Sequence, residues 1–362
     1  IGIPCIPGYQ GTDQTDEKFV NEAKLIGFPI LIKASAGGGG RGMRLVEDES
    51  EMISSLSLAR KEALSAFGND ELIIEKAILN PHHIEVQILA DQYGKYLHLG
   101  ERDCSIQRRH QKIIEEAPSV VLDNNLRKRF GDAAIKIAKS IHYVGVGTIE
   151  FLLDEGKNFY FMEMNTRLQV EHTVTEMITG LDLVEKQIMI AQGKPLELQQ
   201  EEVTFNGHSI EVRLYAEDPN NDFTPQTGEV VVWKEAKGDG IRIDTGLFSG
   251  IHITPYYDPM VAKVISWGKT REEARVILEK ALLETDLFGV KTNKSFLLKI
   301  LRTHQFRKGD ITTSFLDILD KEKINNSKDL LFKEACTASC LEYELKRDIY
   351  HDQSLSVSDE LK

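Results

Sequence analysis

The sequence predicts an α/β (α+β) chain made of two successive globular regions. Three observations point there. Helical and strand-like patterns alternate over residues 15–192, and after Pro195 short β-like stretches broken by Pro, Asn and Gly take over. Of 362 residues, 41% are apolar and 28% charged, the balance of a soluble globular chain. No apolar run is long enough to span a bilayer, and a mean hydropathy of -0.27 agrees. At roughly 100–200 residues per domain, two cores fit this length.

The elements follow in order. Residues 15–25 place Phe19, Ala23 and Leu25 on one helical stripe. Residues 28–34 read as a strand ending near Lys33, and 43–46 as a second. The glycine run between them makes the pair a hairpin. Residues 49–67 predict a helix, and 72–76 and 84–89 predict strands. An amphipathic helix covers 127–141. Strands 148–153 and 158–164 flank Asp154, Glu155, Gly156 and Lys157 as a hairpin, and one helix spans 173–192 with Gly193 as its cap. Beyond a boundary near 196–202, stretches 208–216, 228–233, 241–245 and 260–267 are β-like, and 271–284 and 294–302 helical. Residues 325–329 form a polar linker, and 330–346 a further helix.

The net charge of -13 excludes nucleic acid and anionic membrane as main partners, so an anionic substrate needs a local basic cluster. Four scattered cysteines make no disulfide framework, and Cys336 and Cys340 fit one face of a helix turn. A reducing compartment follows.

Three stretches carry chemistry. Gly37 to Gly42, with Arg41, lets backbone N–H groups approach phosphate oxygens. It is neither a Walker A loop nor a dinucleotide fingerprint, because no Gly-Lys-Ser/Thr follows and the next element is a strand. We read it as a mobile phosphate lid, with Lys33 aimed at the same phosphates; a bare surface hairpin is the alternative. Glu163, Asn165, Arg167, Gln169 and Glu171 alternate with apolar residues. Glu163 and Asn165, with Glu150 across the hairpin, offer hard oxygen ligands suited to Mg²⁺. A solvated strand face has the same composition. The third stretch, Glu101 to Lys112, is a basic cluster in an acidic chain that suits bicarbonate or phosphate, or else a self-paired loop.

Lys33-Ala34-Ser35-Ala36 with its glycine run, ERDCSIQRRHQKIIEEA from Glu101, MEMNTRLQVEHTVT from Met162 and HSIEVRLYAEDP from His208 resemble the biotin carboxylase component of biotin-dependent carboxylases. The resemblance covers roughly residues 1–320, more than one domain's worth of chain. It implies an ATP-grasp domain over 1–198, a mixed biotin carboxylase C-terminal domain over 199–324, and over 325–362 a linker and the start of a further helical region. It also implies an N-terminal α/β domain, with one ATP-contacting lysine, upstream of Ile1. The lack of a leader therefore says nothing of localisation, and bacterial cytoplasm or mitochondrial matrix is expected.

By the same resemblance, Lys33 holds ATP phosphates and Gly38, Gly39, Gly40 and Gly42 form the lid. Glu75, Lys76 and Ile78 form the adenine hinge, and His83, Gln107 and His110 bind nucleotide. Glu150, Glu163 and Asn165 hold Mg²⁺ or Mn²⁺. Lys112, Arg167, Gln169 and Val170 make the bicarbonate pocket, Glu171 is its base, and Arg213 stabilises the biotin enolate. The implied partners are a biotinyl carrier domain, a carboxyltransferase β subunit and a second copy of the chain. The subtype most resembled is the methylcrotonyl-CoA carboxylase α subunit, with propionyl-CoA and acetyl-CoA types next. Another ATP-grasp carboxylating or carbamoylating ligase, or a non-catalytic nucleotide module, are the competing readings.

Overall fold

The computed structural model describes residues 1–37 and 43–321. Gly38, Gly39, Gly40 and Gly42, the linker and the helix expected over 330–346 lie outside the described residues. Near the start, β1 (Gly8–Tyr9) precedes α1 (Asp16–Ile26). Thr15 caps α1 by accepting from the Lys18 N–H, and Gly27, at φ 84°, ends it. Then come β2 (Ile30–Ala34), β3 (Arg44–Val46), α2 (Met52–Phe67) and β4 (Leu72–Lys76). The four strands form an antiparallel sheet in the order β1-β4-β2-β3. Ile30, Ile32 and Ala34 of β2 pack on Phe19, Leu56 and Ala59, and this alternation puts Lys33 on the opposite face.

A larger sheet carries the rest. Its strands begin with β5 (His82–Ala90), β6 (Tyr96–Arg108) and β7 (Gln111–Ala117); after α3 (Asn124–Ser140) come β8 (Gly145–Leu153) and β9 (Phe159–Asn165). Helices α4 (His172–Thr179) and α5 (Leu183–Ala191) lead to β10 (His208–Tyr215). Four short strands follow: β11 (Glu217–Asp218), β12 (Thr224–Pro225), β13 (Gly228–Glu229) and β14 (Val232–Lys234). Next are β15 (Ile241–Thr245), β16 (His252–Ile253), β17 (Met260–Gly268), α6 (Arg271–Glu284), β18 (Asp286–Phe288) and α7 (Lys294–Arg302). The sheet order is β15-β17-β10-β7-β6-β5-β8-β9, so one antiparallel ladder runs through residues on both sides of position 199.

Helix α3 covers one face of this sheet. Phe130 meets Phe151 edge-on at 5.1 Å and Phe159 at 4.5 Å, packed with Ile84, Val86 and Ile149. On the other face Leu89, Leu97, Leu99 and Val146 pack with Leu183 and Ile190, and polar residues occupy the rest of β5 and β8 there. Among the described residues no helix is long and apolar enough to cross a membrane.

Two sequence expectations are corrected, and one alternative reading falls. The helix over 173–192 is two helices. Gly180 ends α4 in the left-handed region (φ 72°), and Asp182 starts α5 by accepting from the Glu185 N–H at 2.7 Å. The strand over 228–233 is two, because β13 pairs with β16 whereas β14 pairs with β18. The basic stretch 101–112 is no solvated loop: it is the β6–β7 hairpin, buried along most of its length and turning at Arg109 and His110 (φ 52° and 65°).

Candidate active site

Strand periodicity builds the site. Ile84, Val86 and Ile88 of β5 face α3, so His83, Glu85 and Gln87 face away; Thr148 and Glu150 of β8 do the same. Register then sets Glu85 opposite Glu150, and Glu150 opposite Glu163. Like charges opposed across a ladder repel. Lys112 of β7 offsets this by donating from Nζ to Glu85 (2.6 Å), Glu150 (2.8 Å) and Glu171 (2.7 Å).

Behind Lys112 lies Arg102, 0% exposed. It donates to Glu85 Oε1 at 2.5 Å, Gln87 at 2.7 Å, Thr175 at 3.0 Å, Thr148 at 3.1 Å and Gln169 at 3.3 Å. Burial alone lifts the Glu85 carboxyl, but Lys112 and Arg102 outweigh it and hold it at about 2. Burial acts the same way on Glu150, and His83 and Lys112 bring it well below the usual carboxylate range. Burial works against the Lys112 ammonium, yet the acids around it raise its pKa. Glu85, Glu150, Lys112 and Arg102 are therefore ionised and interlocked at neutral pH.

Lys112, Glu150 and Glu171 open onto a cavity of about 480 Å³. Lys33 of β2 lines it and is paired with Glu75. On the β5–β6 side, His83 Nδ1 meets Gln107 Nε2 at 2.7 Å and His83 Nε2 lies 3.0 Å from Glu150; His110 lines the cavity from the β6–β7 turn. The loop between β9 and α4 contributes Arg167, Gln169, Val170 and Glu171, with Gln169 Nε2 donating to Glu150 at 2.8 Å. A second cavity of about 320 Å³ shares Lys33, Ile73, Met162 and Glu163 with the first and adds Glu75. Lys76 and Ile78 line neither. The Lys76 ammonium is given to the carbonyls of Gly27 (2.9 Å) and Phe28 (2.6 Å), closing the α1–β2 turn.

Arg213 departs from the exposed strand Arg, paired with Glu211 or Glu217, that its spacing also allowed. All of β10 is buried; Arg213 donates from Nε to Glu115 (2.6 Å) and from Nη2 to Glu171 (2.9 Å), while Glu217 takes Arg108. Burial works against its charge, and Glu115 and Glu171 raise its pKa above the ordinary arginine value.

The acid–amide set fits a divalent cation. Asn165 Nδ2 donates to Glu150 at 3.1 Å and to Glu163 at 3.4 Å, so partial positive charge already sits between two carboxylates. Rotating that amide would present three hard oxygens to one point.

Sequence reasoning missed Glu85, Arg102 and Glu115. The alternation His83, Glu85, Gln87 against Ile84, Val86, Ile88 was the available signal for Glu85; Arg102 and Glu115 take their roles from strands distant in sequence. Arg102→Leu is expected to destabilise the full-length protein by about 3–5 kcal/mol, because it leaves Glu85 with Lys112 as its one cation and takes the donor from four amide or hydroxyl oxygens. The midpoint of denaturant unfolding checks this, and an unchanged midpoint refutes it.

The chain matches two family models: carbamoyl-phosphate synthase L chain, ATP binding domain, over residues 1–199, and biotin carboxylase C-terminal domain over 211–318. It is 50% identical over 320 residues to a biotin carboxylase of Nostoc sp., covering 88% of this chain and 72% of that one. The mitochondrial methylcrotonoyl-CoA carboxylase subunit alpha of Rattus norvegicus is 45% identical over 339 residues, 93% of this chain and 47% of that subunit. Among solved structures, the biotin carboxylase domain dimer of Hydrogenobacter thermophilus 2-oxoglutarate carboxylase, in complex with MgADP, ADP and bicarbonate, superposes with a TM-score of 0.84 at 48% identity. It covers 87% of this chain and 70% of that one. The mixed α/β fold is thus shared with these relatives, and the chain belongs to the biotin carboxylase family, ATP-grasp ligases that carboxylate biotin.

Proposed function

We propose that this chain binds ATP and bicarbonate in the cavity between Lys33 and Arg213 and carboxylates biotin presented by a carrier domain. The observation that carries the reading is Glu171, whose two carboxylate oxygens are held by Lys112 and Arg213 at 2.7 and 2.9 Å at the cavity wall. A carboxylate so placed is oriented as a base and flanked by cations for an anion. Glu171 takes the bicarbonate proton, while Lys112, Arg167, Gln169 and Val170 hold the anion for attack on the γ-phosphate. Lys33 neutralises phosphate charge, and Glu75 holds Lys33 in place. Mg²⁺ or Mn²⁺, held by Glu150, Glu163 and Asn165, supplies further neutralisation of the phosphates. Carboxyphosphate then breaks down to CO₂ and phosphate, the phosphate takes the ureido proton, and Arg213 stabilises the enolate oxygen. The bicarbonate and MgADP complex of the Hydrogenobacter domain supports these ligands, and its being a dimer supports a homo-oligomer.

Within the family we favour the methylcrotonyl-CoA type, with a carboxyltransferase β subunit as partner. The 45% identity to the rat α subunit over 93% of this chain supports it. In the full-length enzyme, ATP cleavage is expected to need bicarbonate, to rise with free biotin and to stop in excess chelator. Undiminished carboxylation in chelator rules out the metal role, and indifference to biotin favours a different ATP-grasp ligase. Transfer of labelled carboxylate to propionyl-CoA but not methylcrotonyl-CoA overturns the subtype.

A further inference from the structure

Behind Arg213 lies a buried acid pair that the mechanism above does not use. Glu211 of β10 and Glu115 of β7 are directly opposed in the ladder, which sets their Cβ atoms about 5 Å apart on one face. Both are wholly buried. One oxygen of each is occupied: Glu115 Oε1 accepts from Arg213 Nε at 2.6 Å, and Glu211 Oε2 accepts from the Thr173 hydroxyl. The other oxygens, Glu115 Oε2 and Glu211 Oε1, have no hydrogen-bond partner.

The surrounding charge is unevenly shared. Arg213 bonds Glu115 directly. The cation nearest Glu211 among the described residues is Lys263 of β17, 3.9 Å away, and its ammonium is given to the Val170 carbonyl (2.6 Å) and the Thr173 hydroxyl (3.3 Å). Asp244 of β15 also draws on Lys263, at 3.4 Å, and His172 of α4 feels its charge. Glu171, Lys112 and the Cys104 thiol of β6 face the pair from the cavity side.

We propose that Glu211 is a carboxylic acid that donates its proton from Oε1 to Glu115 Oε2, and that it is a positioning residue for biotin carboxylation. Two opposed buried carboxylates repel, whereas one proton turns the repulsion into a hydrogen bond and satisfies both unpartnered oxygens. Glu211 keeps it, being the acid without a directly bonded cation. Burial pushes the Glu211 carboxyl well above its ordinary range, only partly opposed by Lys263. Burial also lifts Glu115, against the pull of Arg213, to about 7. The proton completes a chain from Lys263 through Thr173, Glu211 and Glu115 to Arg213 and Glu171. One end fixes the Val170 carbonyl beside the base, and the other sets the direction of the Arg213 guanidinium.

The positioning role rests on the reading of Arg213 as the biotin cation, but the protonation itself does not. Infrared spectra of the full-length enzyme above neutral pH should show a buried carboxylic-acid carbonyl band that Glu211→Gln removes. In the pH profile of biotin carboxylation, Glu115→Gln should move the acid limb to lower pH, because it deletes a group that takes up a proton at about 7. Glu211→Gln should leave the limb in place, because the amide replaces a group already neutral. Absence of the band in the wild type, its survival in Glu211→Gln, or equal displacement of the limb by both variants overturns the proposal. If Glu211→Gln does not fold, the wild-type band and the Glu115→Gln limb decide. A band that behaves as expected, with neither limb moved, leaves the proton in place and removes the positioning role.

Discussion

Glu171→Gln should lower bicarbonate-dependent ATP cleavage by about 10²–10⁴-fold while nucleotide binding persists. The amide keeps the shape of the side chain and one oxygen acceptor, so Lys112 or Arg213 still finds a partner, but it cannot take a proton. The proposed nucleotide contacts run through Lys33, Glu75 and His83, whereas Glu171 is bonded to Lys112 and Arg213. Single-turnover cleavage and nucleotide titration on one preparation separate the two effects. A variant turning over at more than half the wild-type rate removes Glu171 from the role of base, and parallel loss of nucleotide binding marks a disrupted fold instead.

Arg213→Ala should reduce biotin carboxylation by about 10²–10³-fold, the loss typical of one preorganised donor at a developing oxyanion. Biotin-independent, bicarbonate-dependent ATP hydrolysis should fall too, but less. The structure gives the reason for that smaller loss: Arg213 also holds Glu171 Oε2 at 2.9 Å, so its removal loosens the base. Glu115 meanwhile loses its bonded cation, and the variant should unfold at lower denaturant. Equal loss of both activities would make Arg213 a holder of Glu171 and nothing more. No loss in either would leave it without a catalytic role.

Much of this was legible in the sequence, and the reasons differ by residue. Lys33 could be placed because strand alternation and a glycine run fix its neighbourhood locally. The strands bearing Glu150, Glu163 and Arg213 could be placed for the same reason, with bounds that shifted by a few residues: 148–153 became Gly145–Leu153. The division at Gly180 was missed although Gly-Leu-Asp carries a helix stop and a helix start, because the apolar period ran on across it. Lys112 looked like one member of a basic run. Its meaning comes from acids on β5, on β8 and in the loop before α4, a convergence that only the ladder creates. Arg102 is the clearest case. Sequence cannot distinguish a solvated arginine from one that gives five hydrogen bonds in the interior, because the partners are supplied by register, and register is non-local.

The two sheets pack on separate cores, and among the described residues no strand of one pairs with a strand of the other. Bending between the sheets would therefore break no ladder, whereas bending within either one would break a row of hydrogen bonds. Lys33 and the base of the glycine hairpin ride on the smaller sheet, whereas Glu150, Glu171 and Arg213 belong to the larger sheet or to the loop packed on it. In mechanical terms the larger sheet is an anvil and the smaller one a jaw. Bicarbonate and biotin would be seated on the part that stays still, and the nucleotide alone would feel the moving part. The timing of a turnover would then be set by the arrival and departure of nucleotide, and the alignment of the carbon chemistry would be left undisturbed as the jaw opens and shuts.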